Sequence, residues 1–225
     1  MKRVLFLVCF LSISSAEAAP VPPERLPLIT LRLDIRNLTG PGNEGGRTEA
    51  ELSRPIEGVN EIWRQCGIRF AARETVNVSA ERFNIPYRPA SQEDLGRIAE
   101  ALNPEGFARA DALPLTYAGP WRFFDGGTGV FPTGLGWVFV NADGTLNRIG
   151  AMVDATKPHG QYGAEIVGHE LGHALSLPDN GISGNLMCGG SPAQLTADQC
   201  AQARSFARSA LLRFVAGEEI ASTGG

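Results

Sequence analysis

Hydrophobic and polar residues alternate in several short segments of the chain, a pattern typical of β-strands. The clearest of these lies between Leu31 and Arg36, where apolar and charged residues occupy alternate positions. Further strands are predicted from short apolar runs at 68–71, 113–117, 137–140 and 149–153. The chain is therefore expected to form a sheet of about five strands.

Apolar residues recur at helical spacing in other segments. The first predicted helix begins at Ser53, has Pro55 in its first turn and ends at Gly67. Later helices are predicted at 91–102, 163–175 and 196–217, the last of them opened by a capping box of Thr196 and Gln199. Because helices are interspersed with the strands, we expect an N-terminal lobe of α/β type.

The first 18 residues have the composition of an export signal. A basic segment, Met1–Arg3, precedes the apolar stretch Val4–Ile13, and Ala16–Ala18 supplies the small residues of a cleavage site. The apolar stretch is shorter than the ~20 residues that span a membrane, which favours cleavage after Ala18 over a retained anchor helix. The cleaved protein is expected to be secreted or periplasmic and to have no membrane association.

The rest of the chain is expected to form a single domain at 19–217, with lobes at 19–176 and 177–217 and a frayed tail at 218–225. The whole sequence has 43% hydrophobic and 20% charged residues, which is typical of a globular protein. It has 20 basic and 24 acidic side chains, and the basic ones do not cluster, which argues against a nucleic-acid partner. We expect a monomer.

The segment His169-Glu170-Leu171-Gly172-His173 lies within the third predicted helix. Two histidines four residues apart share one face of a helix, so both can reach the same metal ion. Zn²⁺ would lower the pKa of a bound water towards ~7, and Glu170 could accept its proton and pass it to the leaving amine. The competing interpretation is a pair of surface histidines. A metal is favoured because two of only 3 histidines in the chain have this spacing.

The residues around this segment resemble the metzincins, a family of zinc endopeptidases. The spacing HExxHxxSxxD from His169 to Asp179 puts an aspartate where that family has its third zinc ligand, similar to the snapalysin type of small secreted bacterial metalloproteases. The sequence at 185–188 resembles the Met-turn of the family, with Met187 as the methionine beneath the zinc. The chain departs from the usual pattern in having Ser176 for glycine and Asp179 for histidine.

The resemblance implies an α+β fold with a twisted, mostly parallel sheet and one antiparallel edge strand. A zinc helix, a Met-turn and a C-terminal helix would complete it. It also implies one catalytic Zn²⁺ bound by His169, His173 and Asp179. In this arrangement Glu170 is the general base and then the general acid, and Met187 supports the metal.

Other residues are secondary candidates. Asp198 and His159 are the reserve third ligands, and His159 and Tyr162 could line the cleft beside the metal. The loops that contain Asp125 and Asp143 offer oxygen ligands of the kind that Ca²⁺ takes, although their spacing matches no EF-hand loop.

Three cysteines remain after the signal is removed, in a compartment that permits disulfides. They can form one bridge. We favour Cys188–Cys200, because this bridge would fasten the Met-turn to the last helix, and Cys66 would then be free.

The sequence thus favours an exported zinc-dependent endopeptidase that takes a protein or peptide substrate along an edge strand at 137–140. Two alternatives stay open. One is a secreted metal-containing binding protein without proteolytic activity. The other is a zinc hydrolase of a non-peptide amide, because activated water can attack either kind of carbonyl.

Overall fold

A computed structural model of the chain describes residues 26–102, 111–121, 134–140, 146–156, 160–189, 193–209, 211 and 215–219. The strands are β1 (Leu28–Thr39), β2 (Ile68–Ser79), β3 (Leu113–Ala118), β4 (Gly134–Val140), β5 (Leu146–Asp154) and β6 (Val215–Glu219). The helices are α1 (Glu49–Trp63), α2 (Gln92–Leu102), α3 (Gly160–Ala174) and α4 (Ala197–Ser209). Within these ranges, none of the helices has the length and apolar character needed to cross a membrane.

The sheet has the order β2-β1-β3-β5-β4, and β6 pairs with β1 beside this path. Strands β2, β1, β3 and β5 are parallel, whereas β4 runs antiparallel to β5 at the edge. This arrangement confirms the predicted α+β fold with a mostly parallel sheet and one antiparallel edge strand.

The end of the chain differs from the prediction. Helix α4 ends at Ser209 rather than at 217, and the strand β6 extends into the predicted tail as far as Glu219. Strand β3 pairs only with Leu33–Asn37 of β1, so the backbone groups of β1 before that point need another partner. Strand β6 supplies it by pairing antiparallel with Leu28–Leu31.

Strand β2 is longer than its apolar run at 68–71. It continues to Ser79 because β1 provides backbone partners along its whole length, so polar side chains can stay in the strand. The register shifts opposite Leu33 and Asp34, and Arg73 at this irregularity forms a two-pronged ion pair with Asp34. Asp34, predicted on the exposed side of a half-buried strand, is therefore buried with its charge compensated.

Helix α1 begins at Glu49 and not at the predicted Ser53. Thr48 Oγ1 accepts a hydrogen bond from Glu51 N at 3.3 Å, and the Glu51 carboxylate accepts one from Thr48 N at 2.8 Å. This capping box fixes the helix start one turn earlier. Pro55 consequently lies inside the helix, where its missing N–H leaves only the Glu51 carbonyl without its helical donor.

Helix α3 is held against the sheet by α1. A Cβ added at Gly58 of α1 would lie 2.6 Å from Ala164 Cβ, so glycine allows the two helices to approach closely. Trp63 at the end of α1 is fully buried, and its Nε1 donates a hydrogen bond to Gly168 O at 3.2 Å. Helix α2 covers the opposite face of the sheet through Leu95 and Ile98.

The disulfide joins Cys66 to Cys200, with the two Cα atoms 4.8 Å apart. The predicted Cys188–Cys200 pair is therefore wrong, and Cys188 is free and exposed. The physical reason is that α4 packs on the end of α1, where Cys66 is fully buried, while Cys188 faces solvent. Beside the bridge, Arg204 donates hydrogen bonds to the carbonyls of Cys66 at 2.9 Å and Gly67 at 2.8 Å.

Candidate metal centre

The two histidines of the HExxH segment converge on one point beside α3. His169 Nε2 and His173 Nε2 are 3.1 Å apart, and Asp179 Oδ1 lies 3.3 Å from each of them. Zinc binds nitrogen and oxygen donors at about 2.0–2.1 Å in a tetrahedral arrangement, which separates neighbouring donor atoms by about 3.3 Å. The three side chains therefore fit one face of a zinc coordination sphere.

Glu170 lies just outside this triangle. Its carboxylate belongs with the histidine nitrogens to a group of donor atoms that lie within 4.8 Å of one another. That upper limit exceeds the spacing of two ligands of one zinc ion, whereas Asp179 is at ligand spacing from both histidines. Two carboxylates are therefore close to the histidines: the exposed Asp179 at ligand spacing, and the buried Glu170 within the wider limit.

Backbone carbonyls fix the tautomers of both histidines. His169 Nδ1 is 2.7 Å from Leu186 O, and His173 Nδ1 is 2.9 Å from Leu177 O. A carbonyl oxygen only accepts, so Nδ1 donates in each ring, and in the neutral form of the ring Nε2 is left with a lone pair. Burial lowers the pKa of His169, and the hydrogen bond from its ring to Leu186 opposes this change. The lowered pKa favours the neutral ring, which is the form that binds metals.

The chain turns sharply after α3 to bring Asp179 back to the histidines. Ser176 N donates to His173 O at 2.9 Å and Leu177 N donates to Gly172 O at 3.0 Å, the two hydrogen bonds of a Schellman motif. Ser176 adopts the left-handed conformation that the motif needs, with φ +66°. The serine at this position thus forms the same kind of turn that glycine would form.

Met187 packs directly under α3. It is fully buried, and a Cβ added at Gly172 would lie 2.4 Å from Met187 Sδ. Gly172 is one residue before His173, so the missing side chain lets the methionine sulfur reach the helix beside the two histidines. The turn itself is closed by Asn185, whose Oδ1 accepts from Met187 N at 2.9 Å.

Strand β4 contacts the opposite side of the centre through two glycines. A Cβ at Gly134 would lie 2.2 Å from Glu170 Oε1, and a Cβ at Gly136 would lie 2.0 Å from Glu170 O and 2.7 Å from His173 Cβ. At Gly136 a Cβ would meet the helix backbone, so only glycine permits this approach, whereas at Gly134 a Cβ would have to displace the Glu170 carboxylate.

Glu170 is only 6% exposed as a result. Burial raises the pKa of Glu170 to about 8, the hydrogen bond from the backbone of Gly136 opposes this rise, and the charge of Asp179 adds to it. In the metal-free protein the carboxyl group can therefore hold a proton near neutral pH.

Of the secondary candidates, only Asp198 has a described side chain. His159, Asp125 and Asp143 lie outside the described residues, and Tyr162 lies in α3 with its side chain outside them. Asp198 is exposed in the first turn of α4.

Sequence reasoning missed two features of the site. One is the pair of glycines in β4, and the other is the set of amide side chains, Asn185 and Gln199, that hold the Met-turn. The Gly-x-Gly spacing in a strand was a usable signal, because glycine in a strand often marks a close backbone approach. No comparable local signal marked the amide side chains.

Two solved structures share part of this architecture. Metalloproteinase-II of Bacteroides fragilis has 15% sequence identity and a TM-score of 0.47, and the match covers 79% of this chain and 53% of that protein. This chain thus spans about half the length of metalloproteinase-II. The archaemetzincin of Methanopyrus kandleri has 14% identity and a TM-score of 0.44, with 80% of this chain and 96% of that protein covered.

No protein-family model matches the chain, and no curated protein matches it closely in sequence. The two structural likenesses are too distant to bear on function. The chemistry of the centre rests on its own side chains, which form a zinc-sized triangle of donors with a buried carboxyl group beside it.

Proposed function

We propose that the protein is an exported zinc-dependent endopeptidase of metzincin type. His169, His173 and Asp179 would hold the zinc, and Glu170 would act as the general base and then as the general acid. The observation that supports this most directly is the triangle of two imidazole Nε2 atoms and one carboxylate oxygen at 3.1–3.3 Å.

Each residue has a separate task in this proposal. A zinc ion bound at the triangle would supply the Lewis acidity that activates water and polarises the scissile carbonyl. Glu170 accepts a proton at its carboxylate and returns it to the leaving amine. Its buried position suits this task, because burial stabilises the protonated form that must exist between the two transfers.

The substrate would lie along β4. This strand pairs with β5 on one side, and no described strand pairs with its other side. An extended peptide can add to such an edge by backbone hydrogen bonding. The close approach of Gly134 to the Glu170 carboxylate supports this site, because it would bring the peptide near the proposed general base. Pairing through the backbone fits an enzyme that cleaves within a polypeptide.

Export would follow from the signal-like residues 1–18, with the mature chain beginning at Ala19. The disulfide Cys66–Cys200 is consistent with an oxidising compartment. N-terminal sequencing of the protein recovered outside the cytoplasm would test this part separately.

The decisive experiment compares Glu170→Ala with wild type. We expect Glu170→Ala to bind one zinc per chain by elemental analysis and to lose at least about 100-fold in kcat/KM on a fluorescent protein substrate, because the proton acceptor is gone. Glu57→Ala, which removes an exposed carboxylate from α1, is the matched control and should cleave like wild type.

Undiminished cleavage by Glu170→Ala would end the assignment. Stoichiometric zinc without cleavage of any peptide by wild type would instead favour the metal-containing binding protein, and cleavage of small amides alone would favour a hydrolase of non-peptide amides.

A further inference from the structure

The proposed third ligand, Asp179, lies on a stretch between two buried anchors of the chain, Leu177 and Leu186. The Asp179 side chain is 74% exposed, and it follows the turn at Ser176. The carbonyls that orient the two histidines, those of Leu177 and Leu186, belong to the same segment, 177–187. The geometry of all three ligands therefore depends on what fixes this segment.

Three amide side chains, Asn180, Asn185 and Gln199, form a hydrogen-bonded group that we call the amide cluster. Asn180 Nδ2 donates to Asn185 Oδ1 at 2.8 Å, and Asn185 and Gln199 exchange hydrogen bonds of 2.8 Å and 3.2 Å. Asn185 is 3% exposed, and its Oδ1 also accepts from Met187 N at 2.9 Å. The amide cluster thus joins the residue after Asp179 to the Met-turn and to α4.

Asn180 is the member next to the ligand. Its backbone N donates to Met187 O at 2.9 Å, and its Oδ1 accepts from Ile182 N at 2.9 Å. With the bond to Asn185 these contacts attach Asn180 at three points. Because Asp179 is the adjacent residue, they hold its backbone in the position from which the carboxylate reaches both histidines.

We propose that Asn180 is a positioning residue that sets the zinc affinity of the centre through Asp179. The inference rests on the proposed function for its choice of ligands. Without the Asn180 side chain, the segment 177–187 would become ordered only when the metal binds. The conformational entropy lost in that step would weaken zinc binding. Outer contacts of this kind typically change metal affinity by about 10–100-fold.

The test is a double-mutant cycle on the dissociation constant of Zn²⁺, measured by competition with a chromophoric chelator. Asn180→Ala should weaken zinc binding about 10-fold or more in the otherwise wild-type chain. In the Asp179→Ala background the same change should alter the constant by less than about twofold, because the residue that it positions is absent. Ser183→Ala, an exposed position in the same segment, is the control and should have no effect.

Equal effects of Asn180→Ala in both backgrounds would overturn the proposal, as would no effect in either. The melting temperature of the metal-free variant shows whether the fold survives. If Asn180→Ala does not fold, Gln199→Glu serves instead. It keeps the acceptor for Thr196 N and replaces the donor to Asn185 Oδ1 by a charged oxygen that repels it, so the amide cluster is broken while Asn180 is left in place. We expect zinc binding about threefold weaker when Asp179 is present and unchanged when it is absent.

Failure of the proposed function gives a different result. A protein that binds zinc with the expected coupling between Asn180 and Asp179 but cleaves no peptide would contradict the endopeptidase and leave the positioning role intact. Zinc binding that is insensitive to Asp179→Ala would contradict the positioning role, while Glu170-dependent cleavage could still be observed.

Discussion

Ser176 and Glu170 each occupy a position that their residue types ordinarily avoid. Ser176 has a left-handed backbone, and Glu170 buries a carboxyl group. Both lie within the short stretch that brings His169, His173 and Asp179 together, where a turn reverses the chain and, in the proposed function, a proton carrier lies next to the metal. The requirements of the site explain both exceptions, and each has a measurable cost.

Replacing Ser176 by glycine should stabilise the protein. Glycine adopts φ +66° without the contact between Cβ and the carbonyl that serine suffers, although it also gains freedom in the unfolded chain. We expect the free energy of unfolding to rise by roughly 0.5–1 kcal/mol, measured by urea denaturation of the metal-free protein. Unchanged or lower stability of Ser176→Gly would show that the serine side chain contributes an interaction of its own.

The metal-free protein should lose stability as the pH rises because of Glu170. Its folded pKa of about 8 lies above the ordinary value of 4.5, so the folded state binds this proton more tightly than the unfolded chain does. The stabilising contribution is complete below pH 4.5 and is lost as the pH rises through 8.

Glu170→Gln stays neutral and escapes this loss. Metal-free Glu170→Gln should therefore gain on the order of 3–4 kcal/mol over wild type between pH 5 and pH 8, as followed by urea denaturation. A stability difference that is the same at both pH values would contradict the shifted pKa. Saturating zinc should reduce the difference, because a nearby cation favours the carboxylate.

At the scale of elements, the candidate centre lies where two neighbours, β4 and the Met-turn, pack closely on α3. Glycines at both contacts allow this close packing. Strand β4 approaches through Gly134 and Gly136, and the Met-turn approaches at Gly172. Helix α1 fixes the back of α3 through Trp63. The distances from α3 to β4, to the Met-turn and to α1 are therefore fixed by direct packing. These distances determine how much space the Glu170 side chain has.

Gly134→Ala should impair catalysis more than metal binding. The new Cβ would meet Glu170 at 2.2–2.5 Å and displace its flexible side chain, while the three ligands stay in place. We expect kcat/KM on a protein substrate to fall about 10-fold or more and the zinc dissociation constant to change by less than about threefold.

Gly168→Ala is the matched control for this experiment. It adds the same methyl group one residue before His169, where the nearest atoms are 3.6–3.8 Å away, an ordinary contact distance. Equal losses of activity in the two variants would show that the contact of β4 with Glu170 has no special role.

At the scale of the whole molecule, the chain is closed by the bridge from Cys66 to Cys200. The two cysteines are 134 residues apart, so the loop between them includes most of the sheet and the candidate metal centre. A cross-link of this span stabilises the folded protein mainly by restricting the unfolded chain. Arg204 adds hydrogen bonds at the same place, so α4 is attached to the end of α1 by two kinds of contact.

Cys200→Ser should lower the free energy of unfolding by about 2–5 kcal/mol, measured by denaturant titration under non-reducing conditions. Cys188→Ser is the control, because this thiol is exposed and unbridged, and its effect should lie within about 0.5 kcal/mol. Equal stability of Cys200→Ser and wild type would mean that the bridge does not constrain the unfolded chain.

Local sequence alone sufficed for features that depend on neighbours within one or two turns. The helical period puts His169 and His173 on one face, and the capping boxes and caps at Ser91 and Thr196 mark helix starts that the structure retains. The capping box at Thr48 was an equally local signal. The prediction missed it because Pro55 suggested a helix start at Ser53. Asp179 and Met187 were identified through the family resemblance rather than from spacing alone.

The sequence by itself determined which residues could bind a metal, because the spacing of donors along a helix is fixed by backbone geometry. Only the tertiary structure decided that Asp179 completes the triangle, that Cys66 pairs with Cys200 and that β6 closes the side of β1. These contacts join segments far apart in the chain, and packing selects among many pairings that the local pattern permits equally.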